Sequence, residues 1–247
     1  MSGTLYLIPN TLGQDDAATL GSILPFEVQT IASHLDYFIA ENAKTTRAFL
    51  KLINSNAPLS RPIQEIRIAE LNVNTDAKAL PDLLAPLLEG QDAGLISEAG
   101  VPAVADPGAD LVRLAHERGI TVRPLVGPSS LLLAVMASGL SGQSFAFNGY
   151  LPVDVQARSK RIKQLEERSR QERQTQFFIE TPYRNTAMLE TLAATCHPNT
   201  LISVATDLTL TSEAIRTKKA SQWKAEIAAG KMPDFHKKPT VFLFLAS

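Results

Sequence analysis

The segment LISEAGVPAVADPG, residues 95–108, constrains the fold of this chain more than any other stretch. It begins with the end of an apolar run that is typical of a strand covered on both faces. Gly100 and Pro102 then stiffen a connection whose backbone can approach a ligand closely. Asp106 followed by Pro107 fits the N-cap and first residue of a helix. The pattern predicts a loop at the carboxyl end of a parallel strand, where open α/β sheets bind small molecules. The alternative is a turn that only connects two elements.

Short apolar runs alternate with helical patterns along the whole chain. Candidate strands cover residues 4–8, 35–40, 93–96, 120–126, 175–180, 201–206 and 239–246. Candidate helices cover residues 43–53, 80–88, 109–118, 131–138, 155–172, 184–194 and 220–229. Alternation of this length predicts a mostly parallel, doubly wound α/β sheet. Because the alternation restarts after a Gly- and Ser-rich segment at residues 139–149, we expect two α/β domains. Residues 1–124 form the first, with a mostly parallel sheet, and residues 125–247 form the second, with a mixed sheet.

Composition excludes several classes of protein. The chain has 247 residues, of which 45% are apolar and 20% charged, as in an ordinary soluble protein. No apolar run reaches the ~18 residues of a membrane-spanning helix, and the start lacks the basic region of a signal peptide. We therefore expect a cytoplasmic protein. Cys196 is the only cysteine, which excludes an intramolecular disulfide and a zinc site with several thiolates. The histidines are scattered, so no metal site is predicted.

Charge is distributed unevenly. Residues 1–124 carry 9 basic and 15 acidic side chains, whereas residues 125–247 carry 15 and 10. A basic second half fits a polyanionic partner such as RNA. Its basic side chains include Arg158, Lys160, Arg161, Lys163, Arg168, Arg170 and Arg173, followed by Lys218, Lys219, Lys237 and Lys238. Such charges can track phosphates, or they can pair with acidic neighbours on a solvated helix face. The sequence shows no aromatic platform for stacking RNA bases.

Three loops at strand ends are built from glycine, proline and small residues: 9–10, 100–102 and 127–130. No Gly-x-Gly-x-x-Gly motif follows the first strand, and no Walker lysine motif occurs. The loops present backbone N–H and C=O groups, and the helix start near Ser130 favours a carboxylate. S-adenosylmethionine (SAM) fits such a site, because it offers an adenosine, a carboxylate and a sulfonium that attracts carbonyl oxygens. Other nucleosides remain open on composition alone.

Several segments occur in a recognisable order along the chain: GTLYLIPN at 3–10, AENAKTT at 40–46, SEAGVPAVADPG at 97–108, and PLVGPSS at 124–130 followed by GYLP at 149–152. Weaker matches follow in FIETPYR at 178–184 and ATDLT at 205–209. Together they resemble the tetrapyrrole-methylase superfamily of SAM-dependent methyltransferases. Within it, they resemble most the branch of small-subunit rRNA cytidine 2′-O-methyltransferases.

The resemblance implies two α/β domains with SAM in the cleft between them, in a homodimer. The residues it assigns to the SAM pocket are Pro9, Gly100, Val101, Pro102, Val104, Ser130 and Leu131, with weaker candidates Thr181, Ala205 and Pro239. Each has a structural alternative, since the prolines can simply end strands and Leu131 can belong to the core. The methyl acceptor is ribosomal RNA or, as alternatives, a tetrapyrrole or another small molecule. A third alternative is a SAM-binding protein without catalytic activity.

A hydroxyl acceptor requires a general base. Glu41 and Glu98 are the candidates, because each follows a strand end in a matching segment. The alternatives are that Glu41 caps the next helix and that Glu98 is a solvated loop charge. The chain has ENAK at 41–44 where the rRNA branch has Glu-Asp-Thr-Arg, and TDLTL at 206–210 where the branch has Arg-Glu-Leu-Thr-Lys. Both departures remove charge from positions that we expect to face the substrate.

Overall fold

The computed structural model of the chain describes residues 2–13 and 17–247. The chain divides into two compact units, Met1–Ser129 and Ser130–Ser247. The first contains strands β1 (Thr4–Ile8), β2 (Tyr37–Ala40), β3 (Arg67–Glu70), β4 (Ala93–Ile96) and β5 (Thr121–Pro124), and helices α1 (Ala17–Ile23), α2 (Phe26–His34), α3 (Ala43–Asn56), α4 (Leu80–Leu88) and α5 (Ala109–Glu117). The second contains α6 (Ser130–Ser138), β6 (Phe145–Tyr150), α7 (Val155–Glu172), β7 (Thr175–Ile179), α8 (Asn185–Thr195), β8 (Leu201–Thr206), β9 (Ala214–Lys219), α9 (Ala220–Ala228) and β10 (Thr240–Leu245).

The sheet of the first unit has the order β3-β2-β4-β1-β5, and all of its pairings are parallel. Alternate residues of β2 belong to two different cores, as strand geometry requires. Phe38 and Ala40 pack with residues of α1, α2 and α3. Tyr37 and Ile39 pack with residues of α4 and α5. Helices therefore cover both faces, which confirms the predicted doubly wound sheet.

The sheet of the second unit has the order β6-β7-β10-β8-β9. β6 and β7 are parallel, whereas β10 is antiparallel to β7 and β8, and β9 is antiparallel to β8. Phe178, Phe242 and Phe244 of its central strands pack with residues of α7, α8 and α9. The buried Trp223 of α9 donates its indole N–H to the carbonyl of Ile202 at 3.0 Å. The predicted mixed sheet is confirmed.

Sequence reasoning missed α1, α2, β3, β6 and β9. β6 and β9 are the edge strands of their sheet; β6 overlaps the Gly- and Ser-rich segment 139–149, and β9 is mostly polar. β9 has the sequence AIRTKK and exposes most of its side chains. Charged edge strands are common because they discourage pairing with other chains, and they lack the apolar alternation that reveals a strand. Among the described residues, no helix is long and apolar enough to cross a membrane.

Candidate functional site

The carboxyl edge of the first sheet contains a topological switch point between β1 and β4. These strands are neighbours, but the chain leaves them in opposite directions. After β1 it passes to β2 on the far side of β4, and after β4 it passes to β5 on the far side of β1. Loops that diverge in this way open a crevice, which is where open α/β sheets bind ligands. Pro9 and the segment 97–108 follow these two strands directly.

Backbone hydrogen bonds join the two loops at this crevice. The Asn10 N–H donates to the Gly100 carbonyl at 2.8 Å, and the Gly100 N–H donates to the Thr11 carbonyl at 3.2 Å. The buried Asn10 amide donates to the carbonyls of Ser97 at 3.1 Å and Glu98 at 3.0 Å. The loops after β1 and β4 therefore form one connected structure. The sequence marked Asn10 only as a loop residue, and its bridging role became visible in the fold.

The loop after β4 contains four residues with positive φ in a span of nine. They are Gly100 (φ 69°), Ala103 (φ 64°), Ala105 (φ 65°) and Gly108 (φ 133°). A non-glycine residue in the left-handed region costs roughly 1–2 kcal/mol, and such strain persists only where the surroundings impose it. Backbone of this kind concentrates at ligand-binding sites. The positive φ angles of Ala103 and Ala105 therefore lower the stability of the fold, a feature typical of ligand-binding loops.

The helix after this loop begins later than the sequence predicted. α5 starts at Ala109, with Gly108 at the N-cap position and no side-chain cap. A Cβ at Gly108 would lie 3.0 Å from Leu95 Cδ2, so glycine permits this close approach. The interpretation of Asp106 as the N-cap is wrong. Asp106 instead stands within the loop, free of the helix terminus.

Three carboxylates gather at the ends of β2 and β4. The Glu98 N–H donates to Glu41 Oε2 at 3.0 Å, and the Glu41 N–H donates to the Ile96 carbonyl at 3.1 Å. Burial raises the pKa of Asp106 to about 6, and the charges of Glu41 and Glu98 add to this, while a hydrogen bond with the Ser97 side chain opposes it. A carboxyl with a pKa near neutrality suits proton transfer. Sequence reasoning assigned Asp106 only to a helix cap, although its place in the same loop as Glu98 was the available signal for an acidic cluster.

The structure bears differently on the two structural alternatives, Glu41 as a helix cap and Glu98 as a solvated loop charge. Helix α3 is capped by Asn42, whose Oδ1 accepts from the N–H groups of Lys44 at 2.9 Å and Thr45 at 3.4 Å. Glu41 is therefore not the cap. The Glu98 side chain is exposed, and its contact with Glu41 is made through its backbone N–H. The Asn at position 42, where the rRNA branch has Asp, preserves a capping oxygen.

The predicted SAM-pocket residues of the first unit cluster at the crevice. Pro9 and Pro102 are buried, Val101 is half-buried, and Val104 is 47% exposed. The loop after β5 reaches Pro9 so closely that a Cβ added at Gly127 would lie 2.2 Å from Pro9 Cβ. Glycine is thus required where the loops after β1 and β5 meet.

The predicted residues of the second unit occupy two places in it. Ser130 and Leu131 begin α6, with Leu131 9% exposed. Thr181 follows β7, Ala205 lies buried in β8, and the Pro239 carbonyl, just before β10, accepts from the Asp207 N–H at 3.0 Å. Because β10 is antiparallel to β7 and β8, Thr181, Ala205 and Pro239 lie near one edge of the second sheet.

The second departure from the rRNA branch lies in a tight turn. Asp207 has φ 51° and is 5% exposed, and its carboxylate accepts from the Ser212 hydroxyl at 2.8 Å. The Lys238 ammonium lies 3.8 Å from the same carboxylate. The Thr209 N–H, in turn, donates to the Glu213 carboxylate at 2.8 Å. The Asp207 side chain therefore stabilises the turn rather than projecting into solvent.

The basic residues of α7 have unequal roles. Arg158 is 4% exposed and donates to the Thr191 hydroxyl at 3.0 and 3.2 Å and to the Val153 carbonyl at 3.0 Å, so its interpretation as a phosphate contact is wrong. Arg168 and Arg170 pair with acidic side chains of the same helix. The exposed basic side chains of the helix without an ion pair among the described residues are Lys160, Arg161 and Lys163.

The remaining reactive side chain gives no support for further chemistry. Cys196 is buried, and burial raises the pKa of its thiol. A buried neutral thiol is a poor nucleophile, which fits the filler role that its place at the end of α8 predicts. Among residues 2–13 and 17–247, no group of three or more metal-ligating side chains is placed to hold an ion.

A family model described as tetrapyrrole (corrin/porphyrin) methylases matches residues 24–223, which is most of the chain. The chain belongs to the tetrapyrrole methylase family. This membership confirms the resemblance seen in the sequence segments and makes the chain a methyltransferase by family. Methyltransferases of the tetrapyrrole methylase family use SAM.

Curated relatives of this tetrapyrrole methylase carry one recurring name. The ribosomal RNA small subunit methyltransferase I of Escherichia coli O157:H7 is 32% identical over 213 residues, covering 86% of this chain and 68% of that protein. The protein of the same name from Streptococcus pyogenes serotype M3 is 31% identical over 208 residues, covering 84% of this chain and 66% of that protein. The chain spans about two thirds of the length of these relatives.

Solved structures share the fold of this tetrapyrrole methylase. The methyltransferase CobJ matches with a TM-score of 0.62 at 18% identity, covering 100% of this chain and 95% of that one. Uroporphyrin-III-C-methyltransferase from Thermus thermophilus matches with a TM-score of 0.54 at 16% identity, covering 99% and 93%. At these identities the likeness establishes the α/β fold alone.

Proposed function

We propose that this tetrapyrrole-family methyltransferase transfers a methyl group from SAM to ribosomal RNA, at a ribose 2′-hydroxyl. The observation that carries the proposal is the strained loop after β4, joined by backbone hydrogen bonds to the loop after β1 at the switch point. The names of the curated relatives support ribosomal RNA as the acceptor. The resemblance further supports a homodimer, and an acceptor in the ribosome fits a cytoplasmic protein.

The proposed cofactor contacts begin with the crevice. Pro9, Gly100, Val101, Pro102 and Val104 are the residues that would hold SAM there, mainly through backbone groups. When bound, SAM would supply an electrophilic methyl carbon, from which an acceptor oxygen placed in line would displace the sulfur as a neutral thioether. The carboxylates at the ends of β2 and β4 favour a cationic ligand, because opposite charges attract strongly in a partly buried site. The resemblance adds Ser130, Leu131, Thr181, Ala205 and Pro239 to the proposed contacts.

The proposed general base is Asp106. Its raised pKa, about 6, leaves it ionised at neutral pH yet basic enough to accept the proton of the attacking hydroxyl. Glu41 is held by the Glu98 N–H, so its carboxylate has a fixed position from which its charge acts on Asp106. Glu98 contributes its N–H to that arrangement and a second negative charge. Among the three carboxylates, Glu41 and Glu98 thus position and tune, while Asp106 takes the proton.

The decisive experiment uses purified protein, tritiated SAM and small ribosomal subunits from a strain that lacks the gene. We expect label in the ribosomal RNA, and little label with subunits from the parent strain, whose site is already methylated. Asp106→Asn should lose this activity, whereas Asp110→Asn should keep it, since Asp110 is 68% exposed on α5 and pairs with Arg113. Bound SAM without any label in RNA would overturn the acceptor. Label in a tetrapyrrole instead would favour the small-molecule alternative.

A further inference from the structure

Tyr183, His236 and Lys237 form an exposed cluster on the second unit that the proposed chemistry does not use. Tyr183 lies in the 3₁₀ turn Pro182–Arg184 after β7 and is 72% exposed. The His236 ring stands edge-on to the Tyr183 ring, with centroids 6.3 Å apart. The Lys237 ammonium lies 5.9 Å from the centre of the same ring. Two rings and a cation thus meet although 53 residues of sequence separate Tyr183 from His236.

The cluster is fixed in place by buried neighbours. The Lys237 N–H donates to the Pro182 carbonyl at 3.3 Å, which joins the two loops directly. The buried Asn185 amide donates to the carbonyls of Phe235 at 2.9 Å and Lys238 at 2.8 Å. Phe235 is fully buried in the core of the second unit. The loop that carries His236 and Lys237 is therefore held on both sides, and an exposed tyrosine stands beside a rigid support.

Of the lysine and arginine side chains at this cluster, Lys237 is the one without an ion pair among the described residues. Lys238 pairs with Asp234 at 3.1 Å, and Arg184 donates to the Glu180 carboxylate at 2.9 Å. In the described part of the chain, no carboxylate lies within ion-pair distance of Lys237, which has φ 61° and is exposed. A cation in this position attracts an anion next to the Tyr183 ring.

We propose that Tyr183, His236 and Lys237 bind an unpaired nucleotide of the RNA substrate, with the base stacked on Tyr183 and a phosphate paired with Lys237. Single-stranded RNA is recognised by aromatic rings that stack bases next to cations that hold phosphates. The exposed Tyr183 ring, and a Lys237 ammonium without an ion pair on a loop held by hydrogen bonds, supply both elements. The inference rests on the proposed RNA acceptor and names how one nucleotide of that RNA is held.

The test measures binding of a short fluorescein-labelled single-stranded oligouridylate by anisotropy at fixed salt. Tyr183→Ala should weaken binding roughly tenfold, and Tyr183→Phe should restore it, because stacking needs the ring and not the hydroxyl. Lys237→Gln should lower the salt dependence of binding by about 0.7 in the logarithmic slope, as expected for one phosphate contact to a single strand. Phe26→Ala, which removes another exposed ring from the first unit, should bind like the wild type.

A second readout separates stacking from a structural effect. An oligouridylate containing 5-iodouridine should cross-link on irradiation to the peptide that carries Tyr183, as mapped by mass spectrometry. Wild-type binding by Tyr183→Ala, or cross-links confined to other peptides, would overturn the stacking site while leaving the RNA acceptor intact. If the wild-type protein binds SAM but neither the oligouridylate nor small ribosomal subunits, the RNA acceptor fails and this inference fails with it.

Discussion

In each sheet the predicted site residues lie in loops and strand ends along one edge. Different interactions stabilise these two edges. At the first, main-chain groups of Asn10, Thr11 and Gly100 bond to one another, and glycines allow the loops to touch. At the second, a carboxylate with a fully buried side chain, Glu180, accepts from the Arg184 guanidinium and the Thr181 N–H. A backbone-built site is sensitive to added Cβ atoms and to φ. A site built from buried charges is sensitive to loss of charge.

The largest effect we expect comes from Asp106, the proposed general base in the loop after β4. Asp106→Asn should lower the rate of methyl transfer by about 10²- to 10⁴-fold, the usual loss when a general base is removed. In the wild type, the rate should fall as pH drops through about 6, where Asp106 takes up a proton. Rates measured across pH in single turnovers test this. A flat profile through pH ~6 would assign the proton to another group.

The same substitution should make the protein more stable above neutral pH. The pKa of Asp106 is about 6 in the folded protein against an ordinary value of 3.8. Folding therefore favours the protonated carboxyl of Asp106. This preference stabilises the folded protein fully below pH 3.8, and the stabilisation is lost as pH rises through about 6. Asn stays neutral, so Asp106→Asn should gain about 1 kcal/mol at pH ~8 after allowance for solvent screening, and nothing below pH ~4. Urea unfolding at both pH values measures the difference.

One methyl group added at Gly127 should disable the site at the carboxyl edge of the first sheet. Gly127→Ala places a Cβ 2.2 Å from Pro9 Cβ, so one of the two loops must move. Displacement by about 1 Å at a catalytic site costs about a hundredfold in rate, and overpacking costs about 1–3 kcal/mol of stability. The matched control is Gly142→Ala, whose added Cβ meets nothing within 4 Å. Wild-type methyl transfer by Gly127→Ala would show that contact between these loops is dispensable.

In the second sheet, by contrast, loss of a buried charge next to the predicted site residues should lower the stability of the protein. Glu180→Gln removes the charge that holds Arg184 and should cost about 2 kcal/mol, less than for a fully buried pair because Arg184 is 28% exposed. Glu172→Gln breaks the exposed pair with Arg168 and should cost no more than ~0.5 kcal/mol. Calorimetric unfolding compares the two. Equal losses would mean that burial of Glu180 has no energetic consequence.

The smallest effect concerns RNA attraction by α7. Replacing Lys160, Arg161 and Lys163 together by Gln should lower the logarithmic salt slope of RNA binding by up to about 2. Arg158→Gln should leave that slope unchanged while destabilising the fold, because Arg158 is buried and bonds to Thr191. Anisotropy titrations at several salt concentrations distinguish the two. A reduced slope in Arg158→Gln would restore it as a phosphate contact.

Local patterns in the sequence predicted the parts of the fold that local chemistry determines. The run before Ser97, with Gly100 and Pro102 after it, identified a strand end and a rigid loop, and the fold places both at the switch point. The N-cap assigned to Asp106 was wrong because Gly108, at φ 133°, terminates the loop instead. A cap is decided by the path of the backbone, which depends here on packing against Leu95.

Tertiary neighbours, by contrast, leave no mark in local sequence. Arg158 has the pattern of a solvated helix charge, yet a hydroxyl from α8 satisfies it in the core. Tyr183 and His236 meet only because β7 and β10 are paired in the sheet. Asp106 becomes a candidate base only through burial and the charges of Glu41 and Glu98. The sequence thus predicted the loops of the candidate site better than the environment of its side chains.

Calorimetric titration of SAM into two alanine variants tests most directly whether the backbone of the loop after β4 holds the cofactor. Gly100 and Gly119 have nearly the same φ, 69° and 67°, so alanine imposes the same backbone cost at both. A Cβ at Gly100 lies 3.1 Å from Leu12 Cδ2 and 3.4 Å from the Pro128 carbonyl, whereas one at Gly119 meets nothing within 4 Å. We predict that Gly100→Ala raises the Kd for SAM about tenfold or more, equivalent to ~1.4 kcal/mol, and that Gly119→Ala binds as the wild type does. Wild-type affinity in Gly100→Ala would contradict the account.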